Sequence, residues 1–184
     1  MNKIIGHFKT ITTHKLMVMR ECFKIGLYKQ GLMHDMSKYG PAEFFAGCKY
    51  YTGTKSPHHK ERAANGYSAA WLHHKGRNKH HFEYWTDYSQ SGTGMEGTKM
   101  PPNYVAEMMM DRIAASKVYN KGNYNDHMSL EYYEREKHAY MIHPETRALL
   151  EYMLKMLDEQ GEAVLYDFIR KNLVGKKEYP RIEV

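Results

Sequence analysis

A histidine and an aspartate stand side by side at His34-Asp35, within GLYKQGLMHDMSKYGPAEF, residues 26–44. An imidazole nitrogen beside a carboxylate oxygen is a ligand pair that suits a divalent metal ion. Consecutive residues of a helix point about 100° apart, so the two side chains share an ion only in a groove between helices. Any further ligands must therefore come from neighbouring helices.

Two more polar residues occupy apolar helix faces. His14 falls at helical spacing with Val18 and Cys22. Asp111 shares a face with Met108, where a carboxylate is costly to bury without a partner. Taken singly, the histidine is explained by a hydrogen bond in the core, and the aspartate by a surface ion pair with its neighbour Arg112. Taken together, one metal ion would satisfy four residues: His14, His34, Asp35 and Asp111.

The order of these residues resembles the HD superfamily of metal-dependent phosphohydrolases, whose pattern is a histidine, a His-Asp doublet and a distant aspartate. LMHDMSK is similar to the Leu-His-Asp-Ile-Gly-Lys form common there, and MDRIAA is similar to its closing aspartate segment. The resemblance covers residues 10–120. It implies an HD-like helical bundle in which the four residues hold one divalent ion, which is Mn, Mg, Zn, Fe or Co. It also implies that a metal-activated water hydrolyses a phosphate ester, with Lys38 contacting the substrate phosphate.

A second group of reactive residues lies in WLHHKGRNKHHFEYW, residues 71–85, a segment shared with short uncharacterised bacterial and phage proteins that the chain resembles. Some HD subfamilies bind a second ion through two histidines located between the doublet and the last aspartate. That resemblance makes one histidine of each adjacent pair a candidate ligand. Those subfamilies separate the two histidines more widely than the six to eight residues found here, and His58 or His59 would give a wider gap. The pairs are His73 and His74, and His80 and His81.

A single ion is the alternative, and the histidine-rich turn then has another use. It would supply a general acid, with His73 and His74 as the candidates, and His80 and His81 would be ligands only if a second ion is bound. Nearby cations would bind the substrate phosphate. A solvated basic turn without chemistry is the third interpretation. The expected substrate-binding cations are Lys75, Arg77, Lys79 and Arg112.

Hydrophobic periodicity predicts an all-α chain, and no segment alternates as a strand would. We expect one HD-like domain over residues 1–174, with the metal motifs in 10–120, packing helices in 126–174 and a flexible tail at 175–184. Residues 89–103, rich in Gly, Ser and Pro, are predicted to form a long loop. The principal predicted helices span 8–30, 42–51, 59–75, 80–88, 102–120, 147–157 and 162–173.

Composition limits the function classes. The 184 residues are 42% hydrophobic, two cysteines are too few for a disulfide framework, and no apolar run approaches the roughly 18 residues of a membrane span. No signal-peptide pattern is present, so we expect a cytoplasmic protein without a membrane partner. A net charge of +6 favours an anionic partner, which is a small phosphate-containing substrate or a nucleic acid. The sequence does not define an oligomeric state.

These patterns predict a metal-dependent phosphohydrolase acting on a nucleotide or a similar small phosphate ester. Two alternatives remain open. An HD-like di-iron oxygenase would use the extra histidines to hold two irons. A basic nucleotide or nucleic-acid binding module with a structural metal would instead stack bases on some of the 16 tyrosines.

Overall fold

Prolines begin four of the eight α-helices in the computed structural model, which describes residues 2–120 and 122–182. Proline suits the first helical position because the N–H that it lacks has no intrahelical partner there. These helices are α3 (Pro41–Tyr50), α4 (Pro57–Asn65), α6 (Pro102–Asn120) and α8 (Pro144–Asn172). The others are α1 (Lys3–Lys24), α2 (Tyr28–Met33), α5 (Ala69–Lys75) and α7 (His127–Glu136). The all-α prediction is confirmed.

Helix α6 is the central element of the fold. It packs against α1, α7 and α8, and Met109, Met110 and Ile113 on successive faces are fully buried. A helix that is apolar around most of its circumference is buried by its neighbours. Two acids on this helix, Glu107 and Asp111, are therefore brought into the interior. Within the described ranges, no helix is both long enough and apolar enough to cross a membrane.

Two helices replace the single helix predicted over 8–30. The chain reverses after α1 at Gly26, whose φ of 87° lies in the left-handed region that glycine adopts without a steric cost. Helix α2 then lies directly on α1, because a Cβ at Gly31 would come within 2.9 Å of Cys22 Cβ. This close approach brings His34, the residue after α2, alongside His14 of α1.

The histidine-rich half of the chain also differs from prediction. The helix predicted over 59–75 is two helices, α4 and α5, separated at Gly66. The helix predicted over 80–88 is wrong: a 3₁₀ turn at Phe82–Tyr84 leads into strand β1 (Thr86–Tyr88). Strand β1 pairs antiparallel with β2 (Met95–Gly97), so the predicted loop contains half of a hairpin.

The two C-terminal helices, predicted over 147–157 and 162–173, lie within α8, where they meet at a kink with a non-helical backbone at Gly161. The inner face of α8 is not purely apolar. Thr146 is fully buried, and its hydroxyl lies 2.8 Å from the Tyr179 hydroxyl. Tyr179, in the segment predicted as a tail, also donates a hydrogen bond to the Met100 carbonyl. Residues 183–184 of that predicted tail lie outside the described residues.

A buried ion network joins α1, α6 and α8. Glu21 of α1 is 1% exposed. One carboxylate oxygen accepts hydrogen bonds from Lys24 Nζ (2.6 Å) and Tyr166 OH (2.7 Å), and the other accepts one from Lys117 Nζ (3.0 Å). Burial acts to raise the pKa of Glu21, but these three hydrogen bonds outweigh it and lower the pKa below 4.5. The folded state therefore favours the ionised carboxylate.

We expect Glu21→Gln to destabilise the fold at neutral pH by about 1–3 kcal/mol, the usual cost of breaking buried charge-assisted hydrogen bonds. Since the folded pKa lies below the unfolded one, the wild-type advantage is complete above about pH 4.5 and disappears as the pH falls through the folded pKa. Urea unfolding at several pH values measures this difference. Glu131→Gln, an exposed change on α7, is the control. A constant difference between Glu21→Gln and wild type down to the acid transition would contradict the assignment.

Candidate metal centre

Asp35 lies at the centre of the site. Its backbone φ of 54° is left-handed, a conformation that aspartate tolerates better than most residues, and its side chain is 2% exposed. Oδ2 lies 3.3 Å from His34 Nε2 and 3.6 Å from His14 Nε2. Oδ1 lies 3.3 Å from His74 Nε2 and 3.5 Å from His80 Nε2. The carboxylate thus stands between two sets of histidines, one facing each oxygen.

The first set contains the four residues predicted to hold one ion. His14 Nε2 is 2.9 Å from Asp111 Oδ1, and His34 Nε2 is 3.7 Å from the same oxygen. Helix α1, the turn after α2 and helix α6 each contribute to this set. The structure therefore brings together His14, His34, Asp35 and Asp111, although they are spread over 98 positions of the chain.

The second set forms around the other oxygen of Asp35. Ligand atoms of Asp35, His74, His80 and His81 all lie within 4.8 Å of one another. His80 Nε2 is also 3.8 Å from Asp111 Oδ2, which connects this set to the first. Helix α5 supplies His74, and the turn that follows α5 supplies His80 and His81. Both predicted candidates at 80 and 81 therefore lie in the cluster.

The other histidine candidates lie outside the two sets. His73 Nδ1 is 2.6 Å from Glu43 Oε1, and its side chain is 27% exposed. His58 lies beside the cluster, with its ring centroid 6.3 Å from that of His74, and its Nδ1 is 3.3 Å from Ser68 Oγ. Of the pair His73 and His74, both predicted as catalytic, the structure places only His74 among the grouped ligand atoms.

Among the described residues, four buried atoms of the cluster have no hydrogen-bond partner: His34 Nε2, His80 Nε2 and both carboxylate oxygens of Asp35. Lys38 Nζ approaches Asp35 Oδ2 to 2.6 Å as an ion pair, but without the angles of a hydrogen bond. Buried polar atoms without partners are rare, because each loses the hydrogen bonds it made to water. Imidazole nitrogens and carboxylate oxygens that face one another in this way fit a metal ion.

Two buried glutamates contact the Nδ1 atoms of these histidines, on the ring edge away from Asp35. Glu107 Oε1 accepts from His34 Nδ1 at 3.0 Å and lies 3.2 Å from His80 Nδ1. Glu43 Oε2 accepts from His74 Nδ1 at 2.8 Å. Neither glutamate was predicted from the sequence. A signal existed for Glu107, since it precedes Asp111 by one helical turn and so shares its face of α6.

The charges of the cluster reinforce one another. Burial acts to raise the pKa of Asp35, but the charges of His34 and Lys38 outweigh it, and the pKa falls well below its usual range. Asp111 behaves likewise, since His14 beside it offsets burial and lowers the pKa of this carboxyl. Burial lowers the pKa of His34, but the Asp35 and Glu107 carboxylates outweigh it and raise the pKa to about 10, so a metal ion that binds His34 Nε2 must displace its proton. The carboxylates therefore remain ionised and attract cations.

Two histidines are held in the neutral form that binds metals. Burial lowers the pKa of His81 well below its usual value, and neighbouring His80 and His74 lower it further. Burial also lowers the pKa of His14, although Asp111 partly offsets this effect. A neutral imidazole offers a nitrogen lone pair, which an imidazolium lacks.

The predicted phosphate-binding cations are spread around the histidine-rich turn. Lys79 Nζ lies over the rings of Tyr84 and Tyr104, Arg77 is exposed and Lys75 is half-buried. Arg112 projects towards α7, where its guanidinium lies 5.8 Å from the ring centroids of Tyr133 and Tyr140. Lys38 alone among these cations forms an ion pair with a residue of the cluster in the described part of the chain. The roles assigned to the others remain predictions.

A protein-family model matches residues 3–156, which is most of the chain and includes every residue of the cluster. The chain belongs to the DUF5662 family. That family is described as one of unknown function, so membership in DUF5662 carries no activity with it. No curated protein and no solved structure matches the chain. The cluster itself is therefore the feature of this DUF5662 member that indicates its chemistry.

Proposed function

We propose that the chain is a metal-dependent phosphohydrolase of the HD type, acting on a nucleotide or a similar small phosphate ester. One observation carries the proposal: five histidines and two aspartates from distant segments converge, and four of their buried polar atoms lack hydrogen bonds. The arrangement agrees with the resemblance of the doublet segment to HD phosphohydrolases. Asp35, with one oxygen towards each histidine set, suits a centre of two ions that share this carboxylate.

The donor set favours a transition metal. Magnesium prefers oxygen ligands and retains several waters, whereas imidazole suits zinc, iron and related ions. His14, His34, Asp35 and Asp111 would hold one ion, and Asp35, His74, His80 and His81 the other. Divalent ions at such a centre lower the pKa of water and neutralise charge on phosphoryl oxygens.

The chain's own residues have separate tasks in this proposal. Lys38, whose side chain is 23% exposed, lies at the edge of the cluster and would attract the phosphate as a point charge. His73 is the candidate proton donor, because Glu43 holds its Nδ1 and leaves Nε2 for the leaving group. His74, which the sequence analysis treated as catalytic, takes the role of a ligand here.

Metal dependence and phosphate release test the proposal together. Protein purified without a histidine tag should contain one to two equivalents of a transition metal by elemental analysis. Chelation should abolish release of phosphate from nucleoside phosphates or from p-nitrophenyl phosphate, and Mn²⁺, Co²⁺, Zn²⁺ or Fe²⁺ should restore it. Protein that binds no metal, or that binds metal without hydrolysing any phosphate ester in the panel, would refute the phosphohydrolase.

The histidine-rich donor set also favours a second function, the di-iron oxygenase. Five imidazoles suit iron as well as they suit zinc. Iron-loaded protein that consumes dioxygen in the presence of an organic phosphate, with no phosphate released by hydrolysis, would favour the oxygenase. Steeply salt-dependent binding of nucleic acid without turnover under any metal would favour the binding module instead.

A further inference from the structure

Glu107 occupies a position that the proposed chemistry does not use. Its Oε1 faces two histidine nitrogens, His34 Nδ1 at 3.0 Å and His80 Nδ1 at 3.2 Å. Its Oε2 accepts a hydrogen bond of 2.9 Å from Gln30 Nε2, which also donates to the Asn103 carbonyl. Glu107 is 4% exposed. A single buried carboxylate therefore orients one histidine from each set around Asp35.

Glu43 makes a comparable arrangement that serves only one set. Its Oε2 accepts from His74 Nδ1, which belongs to the second set, while its Oε1 lies against His73 Nδ1, outside both. Glu43 is also 4% exposed. The two glutamates thus have similar burial and similar chemistry, but they differ in how many histidine sets they contact. This difference makes each a control for the other.

We infer that Glu107 is a positioning residue that couples the two metal sites, whereas Glu43 positions a ligand of the second site alone. The inference rests on the proposed metal centre. A carboxylate only accepts hydrogen bonds, so a histidine facing it donates from Nδ1 and presents the lone pair of Nε2 on the opposite edge. His34 Nε2 and His80 Nε2 are the atoms that face Asp35. One carboxylate therefore sets the tautomer of a ligand in each site.

Glu107→Gln should disturb both sites whichever way the new amide lies. With the NH₂ of the new amide towards the histidines, each ring must accept a hydrogen bond at Nδ1 and carry its proton on Nε2. A protonated Nε2 cannot bind a metal ion. With its oxygen towards them, the NH₂ meets the NH₂ of Gln30, and the anchor is lost. Removal of such supporting carboxylates typically lowers metal affinity by about 10–100-fold. We therefore expect both sites of Glu107→Gln to weaken by about that factor, and only one site of Glu43→Gln.

Titration of chelator-treated protein with Co²⁺ measures this directly. Calorimetry counts the sites and their affinities, and the visible absorption of bound Co²⁺ reports the ligand geometry at each. We expect two sites in wild type, two weakened sites in Glu107→Gln, and one weakened and one normal site in Glu43→Gln. Glu21→Gln is the matched control: it alters a buried glutamate that hydrogen-bonds to lysines and a tyrosine, and it should leave both sites unchanged.

The outcomes separate this inference from the proposed function. Wild-type protein that binds no Co²⁺ would refute the proposed metal centre itself. Two normal sites in Glu107→Gln, or loss confined to one site, would overturn the coupling while the metal centre stands. If Glu107→Gln fails to fold by circular dichroism, Gln30→Ala replaces it, since it frees Oε2 but leaves both histidine contacts in place. Gln30→Ala should lower the Co²⁺ affinity of the two sites by equal factors, and unequal weakening would overturn the inference.

Discussion

Replacement of Asp35 by asparagine is expected to impair both proposed metal sites and to lower the proposed release of phosphate by roughly 1,000-fold or more. The magnitude follows because a divalent ion supplies several kcal/mol of charge stabilisation, and each 1.36 kcal/mol is a factor of about ten in rate. Both proposed sites should be affected, because one oxygen of Asp35 faces His34 and the other faces His74. An amide NH₂ in place of one oxygen cannot bind a cation, and the amide oxygen that remains is neutral and attracts a cation less than a carboxylate does.

Asparagine is the informative substitution at this position. Like aspartate, it tolerates the left-handed backbone found at φ 54°, so the turn should be retained. Elemental analysis, Co²⁺ titration and phosphate release are measured on the same preparation, with circular dichroism as the test of folding. Asp87→Asn, an exposed change in β1, is the control and should behave as wild type. Full metal content in folded Asp35→Asn protein would contradict the central position of this carboxylate.

The elements that carry the first ligand set were accessible from sequence because each has a strong local signal. His14 interrupts an apolar stripe of a long helix, and Asp111 lies in a methionine-rich helix whose bounds were predicted well. The His-Asp doublet is visible as a pair. Their convergence could be expected only from the order of the motifs, since periodicity defines a face of a helix but not its neighbour.

Other features depended on contacts that local patterns do not encode. The apolar pattern of α1 continues through Ile25, so the reversal at Gly26 was overlooked. Strands of three residues are too short to show alternation, so β1 and β2 were missed. Which of His73 and His74 faces Asp35 depends on how α5 packs against its neighbours. Glutamate is usually exposed, and the burial of Glu107 is explained by its contacts with two histidines and Gln30.

The second large effect concerns stability, not metal binding. Leu154 of α8 is fully buried in the core. We expect Leu154→Ala to lower the free energy of unfolding by about 2–5 kcal/mol, because truncation removes buried methyl groups and leaves a cavity that the neighbours fill only in part. That cost is a large fraction of the roughly 5–15 kcal/mol that stabilises a domain. Urea unfolding of metal-free protein measures it without a contribution from bound ions.

Metal binding should survive this substitution in every molecule that remains folded. Helix α8 contributes none of the grouped ligand atoms in the described chain, and Leu154 reaches the cluster only through packing. The affinity of folded Leu154→Ala protein for Co²⁺ should therefore equal that of wild type, while Val164→Ala, a half-exposed change on the same helix, should alter neither quantity. Selective loss of Co²⁺ sites from well-folded Leu154→Ala protein would contradict this expectation. It would mean that the packing of α8 determines the geometry of the proposed ligands, so that α8 is not merely a supporting helix.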